Sequence, residues 1–277
     1  MSEQIDWVEL RDQAKGWILE AGEQLRQAVH SELTVESKSS PDDLVTNMDR
    51  QIEQFFIKKI HETYPDHHIV SEEGFGDDVK EEGGILWLID PIDGTMNFVH
   101  QKRHFSISIG IYEEGIGRVA LILDVMNNDL YHCVKGLGAY QNDQKLMPLE
   151  PTPLEESVVS MNATWLTRNR RIDPEIVRPI AQKCRGTRSY GSAAIELAYV
   201  ACGAIDIYLS MRLAPWDVGA GLILVEEVGG VATRANGDPL NLLSQNSLLV
   251  GNPHTHEVVL SHFKKSISDG LYIQTEK

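Results

Sequence analysis

The sequence predicts a mixed α/β (α+β) chain organised in two lobes. Three observations carry that expectation. Two helical stripes occupy the N-terminal region, strand-like periodicity dominates residues 85–134, and strands alternate with helices after a break at Leu149-Glu150-Pro151-Thr152-Pro153. With about 150 residues per domain, 277 residues fit one or two domains. The two prolines place the boundary, giving residues 1–150 and 151–277.

The elements follow in chain order. Leu10, Ala14, Trp17, Ile18, Ala21, Leu25, Ala28 and Val29 recur at helical spacing, the buried stripe of a long amphipathic helix. A polar loop, 37–43, separates it from a second stripe through Ile52, Phe55, Phe56 and Ile60. His68-Ile69-Val70 reads as a strand, and Ile85-Leu86-Trp87-Leu88-Ile89 as a strand buried on both faces, stopped by Pro91. Phe105, Ile107, Ile109 and Ile111 alternate with small polar residues, and strands follow at 119–123 and 130–134. Beyond the linker come a strand at 158–162, helices near 173–184 and 193–202, a strand at 205–209, a helix near 218–228, and strands at 230–233 and 247–250.

Composition narrows function. Lys and Arg number 25 against 41 Asp and Glu, a net charge of −16, which argues against nucleic acid or an anionic membrane as partner. Cys133, Cys184 and Cys202 form no metal-ligand spacing and suit a reducing compartment. The polar, acidic N-terminus is unlike a signal peptide, and no apolar run approaches the roughly 20 residues of a membrane helix, so a cytoplasmic protein is expected.

The chemistry concentrates at Asp90-Pro91-Ile92-Asp93-Gly94-Thr95. A buried strand delivers Asp90, a turn delivers Asp93, and a short helix opens at Gly94-Thr95, whose backbone amides offer a phosphate seat. Either aspartate alone is explained by a turn or a helix cap. Together in this context they favour an oxygen-ligand site for a divalent cation. Glu72 and Glu73 follow another strand, although the neighbouring acids also suit a solvated charge run. Asp217 precedes an apolar helical stretch, and Asp49 completes a capping box with Thr46, so capping competes with a functional role at both.

These motifs resemble the inositol monophosphatase family, among the lithium-sensitive, magnesium-dependent sugar phosphatases. The resemblance rests on Asp90 to Thr95, Glu72-Glu73, Trp216-Asp217, Glu227-Val228-Gly229-Gly230, Lys38 to Pro41, Asp43 to Asp49, and Tyr190-Gly191-Ser192-Ala193-Ala194. It implies a layered α-β-α-β-α sandwich with the site between lobes, the first carrying most metal ligands. Glu72, Asp90 and the Ile92 carbonyl would hold one Mg²⁺ and Asp90, Asp93 and Asp217 a second, with Glu73 assisting a possible third. Asp49 and Thr95 would orient the attacking water, with Glu72 in the catalytic set, and Lys38 would lie on a mobile loop. Asp93, Gly94, Thr95, Gly191, Ser192, Ala193 and Asp217 would contact substrate.

The implied reaction is Mg²⁺-dependent hydrolysis of a phosphomonoester by in-line attack of water, first of all on myo-inositol monophosphate. Fructose 1,6-bisphosphate, NADP and 3′-phosphoadenosine 5′-phosphate are alternatives, as is a noncatalytic regulatory role. The resemblance also implies a homodimer and a small phosphorylated metabolite as partner. One departure bears on substrate: Ser210 stands where many members place an inositol-contacting Glu, and Arg212 follows it. Arg212 is equally explained as a surface charge or as a contact for a more acidic leaving group. A haloacid-dehalogenase-type site would need Asp-x-Asp, and here the spacing is Asp-x-x-Asp.

Overall fold

A computed structural model describes residues 5–38 and 44–274. The N-terminal half contains α1 (Trp7–Ala28), β1 (Val35–Ser37), β2 (Leu44–Thr46), α2 (Asn47–Thr63), β3 (His68–Ser71), β4 (Ile85–Asp93), α3 (Thr95–His100), β5 (Ser106–Glu113), β6 (Ile116–Asp124), β7 (Asp129–Val134), β8 (Ala139–Gln141) and β9 (Gln144–Lys145). The C-terminal half adds β10 (Val158–Met161), α4 (Pro174–Lys183), β11 (Gly186–Arg188), α5 (Ala193–Ala201), β12 (Ile207–Leu213), α6 (Pro215–Glu227), β13 (Val231–Thr233), β14 (Asn246–Gly251) and α7 (Pro253–Ser268). Ser39, Ser40, Pro41 and Asp43 of the N-terminal motif lie outside the described residues.

Strands β3 to β9 form one seven-stranded sheet in sequence order, antiparallel except for β3 against β4. A five-stranded sheet has the order β11-β10-β12-β14-β13, with β11, β10 and β12 parallel. Side-chain alternation sorts the sheets into layers. Trp87 and Ile89 pack with α1 and α2, while Leu86 and Leu88, one residue out of phase, pack with α5 and α6. Tyr208, Leu248 and Val250 join the same helices from the second sheet, and Ile207, Leu209 and Leu249 turn the other way onto α4 and α7. The result is the expected α-β-α-β-α sandwich, and it explains why all nine residues of β4 are buried.

Several element boundaries differ from expectation. Strand β4 continues through Pro91 to Asp93, because Pro91 falls in an irregular stretch of the ladder where no regular donor is required. Helix α6 starts at Pro215, a residue whose fixed φ and missing N–H suit a first turn. Strand β12 runs on to Leu213, and α7 was not anticipated. All three cysteines are free, and no helix among the described residues is long and apolar enough to cross a membrane.

Candidate active site

The irregularity in β4 shapes the site. Asp90 pairs with Ser108 and Asp93 with Ser106, so three steps along β4 oppose two along β5. In a regular strand, residues three apart point to opposite faces. The extra residue of this bulge instead aligns Asp90 and Asp93 on one face. Asp217 arrives from the first turn of α6, where its Oδ2 accepts the Ala214 N–H at 2.8 Å. Carboxylate oxygens of Asp90, Asp93 and Asp217 lie within 4.8 Å of one another.

Each carboxylate has a distinct setting. Asp90 is buried and accepts the Ile92 N–H at 3.0 Å. Burial, then the charges of Glu72, Asp93 and Asp217, push its carboxyl far above the ordinary range. The side chain of Asp93, at the end of β4, meets the start of α5, accepting from Ser192 Oγ at 2.5 Å, Ala194 N at 2.7 Å and Ala193 N at 3.2 Å. Burial raises its pKa against those hydrogen bonds. Asp217, partly open to the cleft, is raised by burial and by Asp93 and Glu72.

Glu72 follows β3, whose Ser71 pairs with Ile89, the neighbour of Asp90. Burial pushes Glu72 up to about 7, against the pull of Lys38. Lys38 Nζ lies 2.9 Å from Glu72 Oε1 and 2.5 Å from Glu73 Oε1. Burial works against the ammonium, yet the two glutamates hold it above the ordinary lysine range. Among the described residues, Asp90, Asp93 and Asp217 form no ion pair. A buried, oxygen-only donor set with so little compensating charge fits a hard divalent cation such as Mg²⁺.

Asp49 is fully buried and takes no part in this cluster directly. It is the N3 residue of α2, and its Oδ2 accepts from Thr46 N at 2.7 Å and Thr46 Oγ1 at 2.6 Å, the expected capping box. Its other oxygen lies 2.9 Å from Thr95 Oγ1, which is also 3.1 Å from the Ile92 carbonyl oxygen. Capping and linkage to Thr95 therefore coexist in one side chain. Gly94 has φ of +91°, a left-handed conformation that a side chain would strain.

Two buried glutamates that the sequence pattern did not single out hold the surrounding loops. Glu53 of α2 accepts from Ser71 Oγ at 2.7 Å, Glu73 N at 2.6 Å and Phe75 N at 2.9 Å, fixing the turn that carries Glu72. Glu196 of α5 accepts from Ser160 Oγ at 2.6 Å, Tyr190 N at 2.7 Å and Gly191 N at 3.2 Å. The detectable signal was a charged residue inside an apolar helical stripe. The cleft has a volume of about 560 Å³, and Asp93, Gly191, Ser192, Ala193, Ser210, Arg212 and Asp217 line it. Ser210 is buried, whereas Arg212 is exposed.

The inositol monophosphatase family model matches residues 6–268. The chain belongs to the inositol monophosphatase family. Membership makes it a phosphoric monoester hydrolase. It is 53% identical over 258 residues to an inositol-1-monophosphatase of Bacillus subtilis, covering 93% of this chain and 97% of that one. A solved structure described as inositol monophosphate-bound SaIMPase-II superposes with a TM-score of 0.85 at 39% identity, covering 94% of this chain and 95% of that one. An IMPase/NADP phosphatase complexed with Mg²⁺ and phosphate superposes at 0.87 with 25% identity, covering 98% of each chain. The family members thus share the layered fold.

Proposed function

We propose that the protein hydrolyses a small phosphorylated metabolite, in the first place myo-inositol monophosphate, with two or three Mg²⁺ ions as cofactor. The convergence of Asp90, Asp93 and Asp217 from both halves of the chain carries this reading. Glu72, Asp90 and the Ile92 carbonyl would hold one ion, Asp90, Asp93 and Asp217 another, and Glu73 would help with a third. When bound, such ions would supply Lewis acidity toward the phosphoryl oxygens and lower the pKa of the attacking water. The inositol monophosphate-bound and Mg²⁺–phosphate-bound relatives support both halves of the proposal.

The chain's own groups divide the remaining work. Thr95 Oγ1, donating to Asp49, offers a lone pair that accepts a hydrogen bond from the water and fixes its direction. Glu72 takes the proton that the water gives up. The water oxygen bonds to phosphorus as the ester P–O bond breaks, and the leaving alkoxide takes up a proton from solvent water to give an alcohol and inorganic phosphate, while the proton held by Glu72 returns to solvent. The backbone at Gly94-Thr95 contacts the phosphate, and Gly191, Ser192 and Ala193 line the alcohol pocket. Residues 1–150 and 151–277 form the two lobes of the crevice. A cytoplasmic homodimer inhibited by Li⁺ completes the reading.

Phosphate release from myo-inositol 1-phosphate, with and without Mg²⁺ and then with added Li⁺, tests it. Mg²⁺-dependent turnover is expected, and no turnover of any phosphomonoester overturns the proposal.

A further inference from the structure

Asn97 lies in α3 two residues after Thr95, and the reaction above assigns it no part. Its side chain is buried and fully engaged. Nδ2 donates to the carbonyl oxygens of His104 and Tyr190, each at 2.7 Å. Oδ1 accepts from Gln101 Nε2 at 2.7 Å. Both amide protons therefore go to backbone acceptors, and Gln101 fixes which way the amide faces. The two carbonyls are 7 and 93 residues away in the chain, so one side chain ties the turn after α3 to the segment before α5.

The peptide bond between Tyr190 and Gly191 is gripped at both ends. Asn97 holds its carbonyl, and Glu196 Oε1 accepts its N–H at 3.2 Å. Gly191 has φ of +79°, in the left-handed region where glycine turns easily, so an ungripped peptide here would be free to flip. Ser192, Ala193 and Ala194 are fastened separately by Asp93. The two glycine turns also press on one another. A Cβ on Gly94 would meet the Gly191 carbonyl oxygen at 3.1 Å, and one on Gly191 would meet Asn97 Nδ2 at 3.0 Å. Asn97 thus stands where the turn that opens α3 touches the wall of the cleft.

Taking the phosphatase reading above as its basis, we infer that Asn97 is a positioning residue for the alcohol part of the substrate. By holding the peptide between Tyr190 and Gly191, it sets where the wall of the alcohol pocket stands relative to the phosphate seat at Gly94-Thr95. Its loss lets Gly191 shift while the carboxylate cluster and the phosphate seat stay in place. A substrate recognised through its hydroxyls then suffers, and one recognised through its phosphate alone does not.

With Mg²⁺ present, kcat/KM is compared for myo-inositol 1-phosphate, which presents hydroxyls to the alcohol pocket, and 4-nitrophenyl phosphate, whose leaving group presents none. Asn97→Leu removes both donors without adding charge. It should lower kcat/KM about tenfold to a hundredfold for the inositol ester, the scale of a displaced substrate, and less than about twofold for the aryl ester. Gln101 is exposed, so Gln101→Glu should fold even where the buried variant does not. Its carboxylate repels Asn97 Oδ1 and favours the flipped amide, which would turn Oδ1 toward the two carbonyls. It should produce the same selective loss, and any effect of its charge on phosphate would act on both esters alike. The rise in melting temperature with Mg²⁺ should match the wild type in both variants. Equal losses on the two esters, an unchanged ratio, or a lost Mg²⁺ response would overturn the inference while leaving the phosphatase reading standing. Failure of the wild type to hydrolyse either ester would overturn the phosphatase reading itself.

Discussion

At the scale of single residues, the site is a set of buried carboxylates whose mutual repulsion bound cations would relieve. Asp90 is the hub, because Glu72, Asp93 and Asp217 all act on it. Asp90→Asn should therefore lower kcat/KM by more than the roughly 10–100-fold typical of outer-shell changes, and abolish the rise in melting temperature with Mg²⁺. Retained activity in that variant would remove Asp90 from the mechanism. Thr95 plays a different part. Thr95→Val deletes the hydroxyl near Asp49 while keeping the shape, so kcat should fall about a hundredfold with the Mg²⁺ dependence unmoved, and Thr95→Ser should restore most of it. Glu53→Gln tests positioning, since an amide N–H₂ would face backbone N–H donors at Glu73 or Phe75. It should cost about 1–3 kcal/mol in urea unfolding and weaken the apparent Mg²⁺ affinity by roughly 10–100-fold. Unchanged Mg²⁺ affinity would limit Glu53 to stability alone.

At the scale of elements, α6 must lie close against the seven-stranded sheet to deliver Asp217. Gly110 of β5 and Gly219 of α6 make the approach possible: a Cβ on Gly110 would meet the Gly219 carbonyl carbon at 2.6 Å, and one on Gly219 would meet Leu88 at 2.7 Å. Tyr112 OH then fastens the helix, donating to the Gly219 carbonyl at 2.6 Å. Gly110→Ala meets backbone that cannot yield without moving the helix. It should lower stability by about 1–3 kcal/mol and weaken Mg²⁺ binding as well, read from urea midpoints and Mg²⁺ titration. Wild-type values for both would show that the contact does not set the position of Asp217. Elements of this kind were legible in the sequence wherever periodicity was strong. The stripes of α1 and α2 and the continuous apolar run of β4 mark their burial directly. The Asp90/Asp93 pair was legible as a motif, but the bulge that aligns the two side chains depends on the register with β5 and is invisible in one strand read alone. For the same reason the sequence pattern did not single out Glu53 and Glu196, although each is a charge within an apolar stripe. The loops they hold are 18–22 and 5–6 residues away in Glu53's and Glu196's cases respectively, and no spacing rule names such partners.

At the scale of the whole molecule, the carboxylate cluster joins the two halves, because Asp93 belongs to β4 and Asp217 to α6. Ions bound there stabilise only the folded chain, so saturating Mg²⁺ should raise the melting temperature, by about 2.7 kcal/mol of stability at a hundred times the dissociation constant. A melting curve indifferent to Mg²⁺ would count against the cluster. With Mg²⁺ saturating, buried and half-buried histidines elsewhere contribute to the pH dependence of stability. Burial holds His67, His132 and His256 below the ordinary histidine value. His132 shows why. Its Nδ1 faces Arg11 Nη1 at 3.2 Å and its Nε2 faces the Asn142 carbonyl at 3.0 Å, so the neutral ring accepts from the guanidinium and donates to the carbonyl. A second ring proton would oppose Arg11. A folded-state pKa below the unfolded one means that the unfolded chain binds more protons as pH falls through about 6.5, so these histidines make stability rise with pH across that window, against the opposite contribution of the buried carboxyls of Glu53, Glu196 and Asp124. Urea midpoints in Mg²⁺ at pH 7.5 and pH 5.5 measure the balance, and the share that comes from His132 favours the higher pH. His132→Gln, which cannot take the second proton, should remove that share from the difference between the two midpoints. An unaltered difference would exclude His132 as a source of the pH dependence.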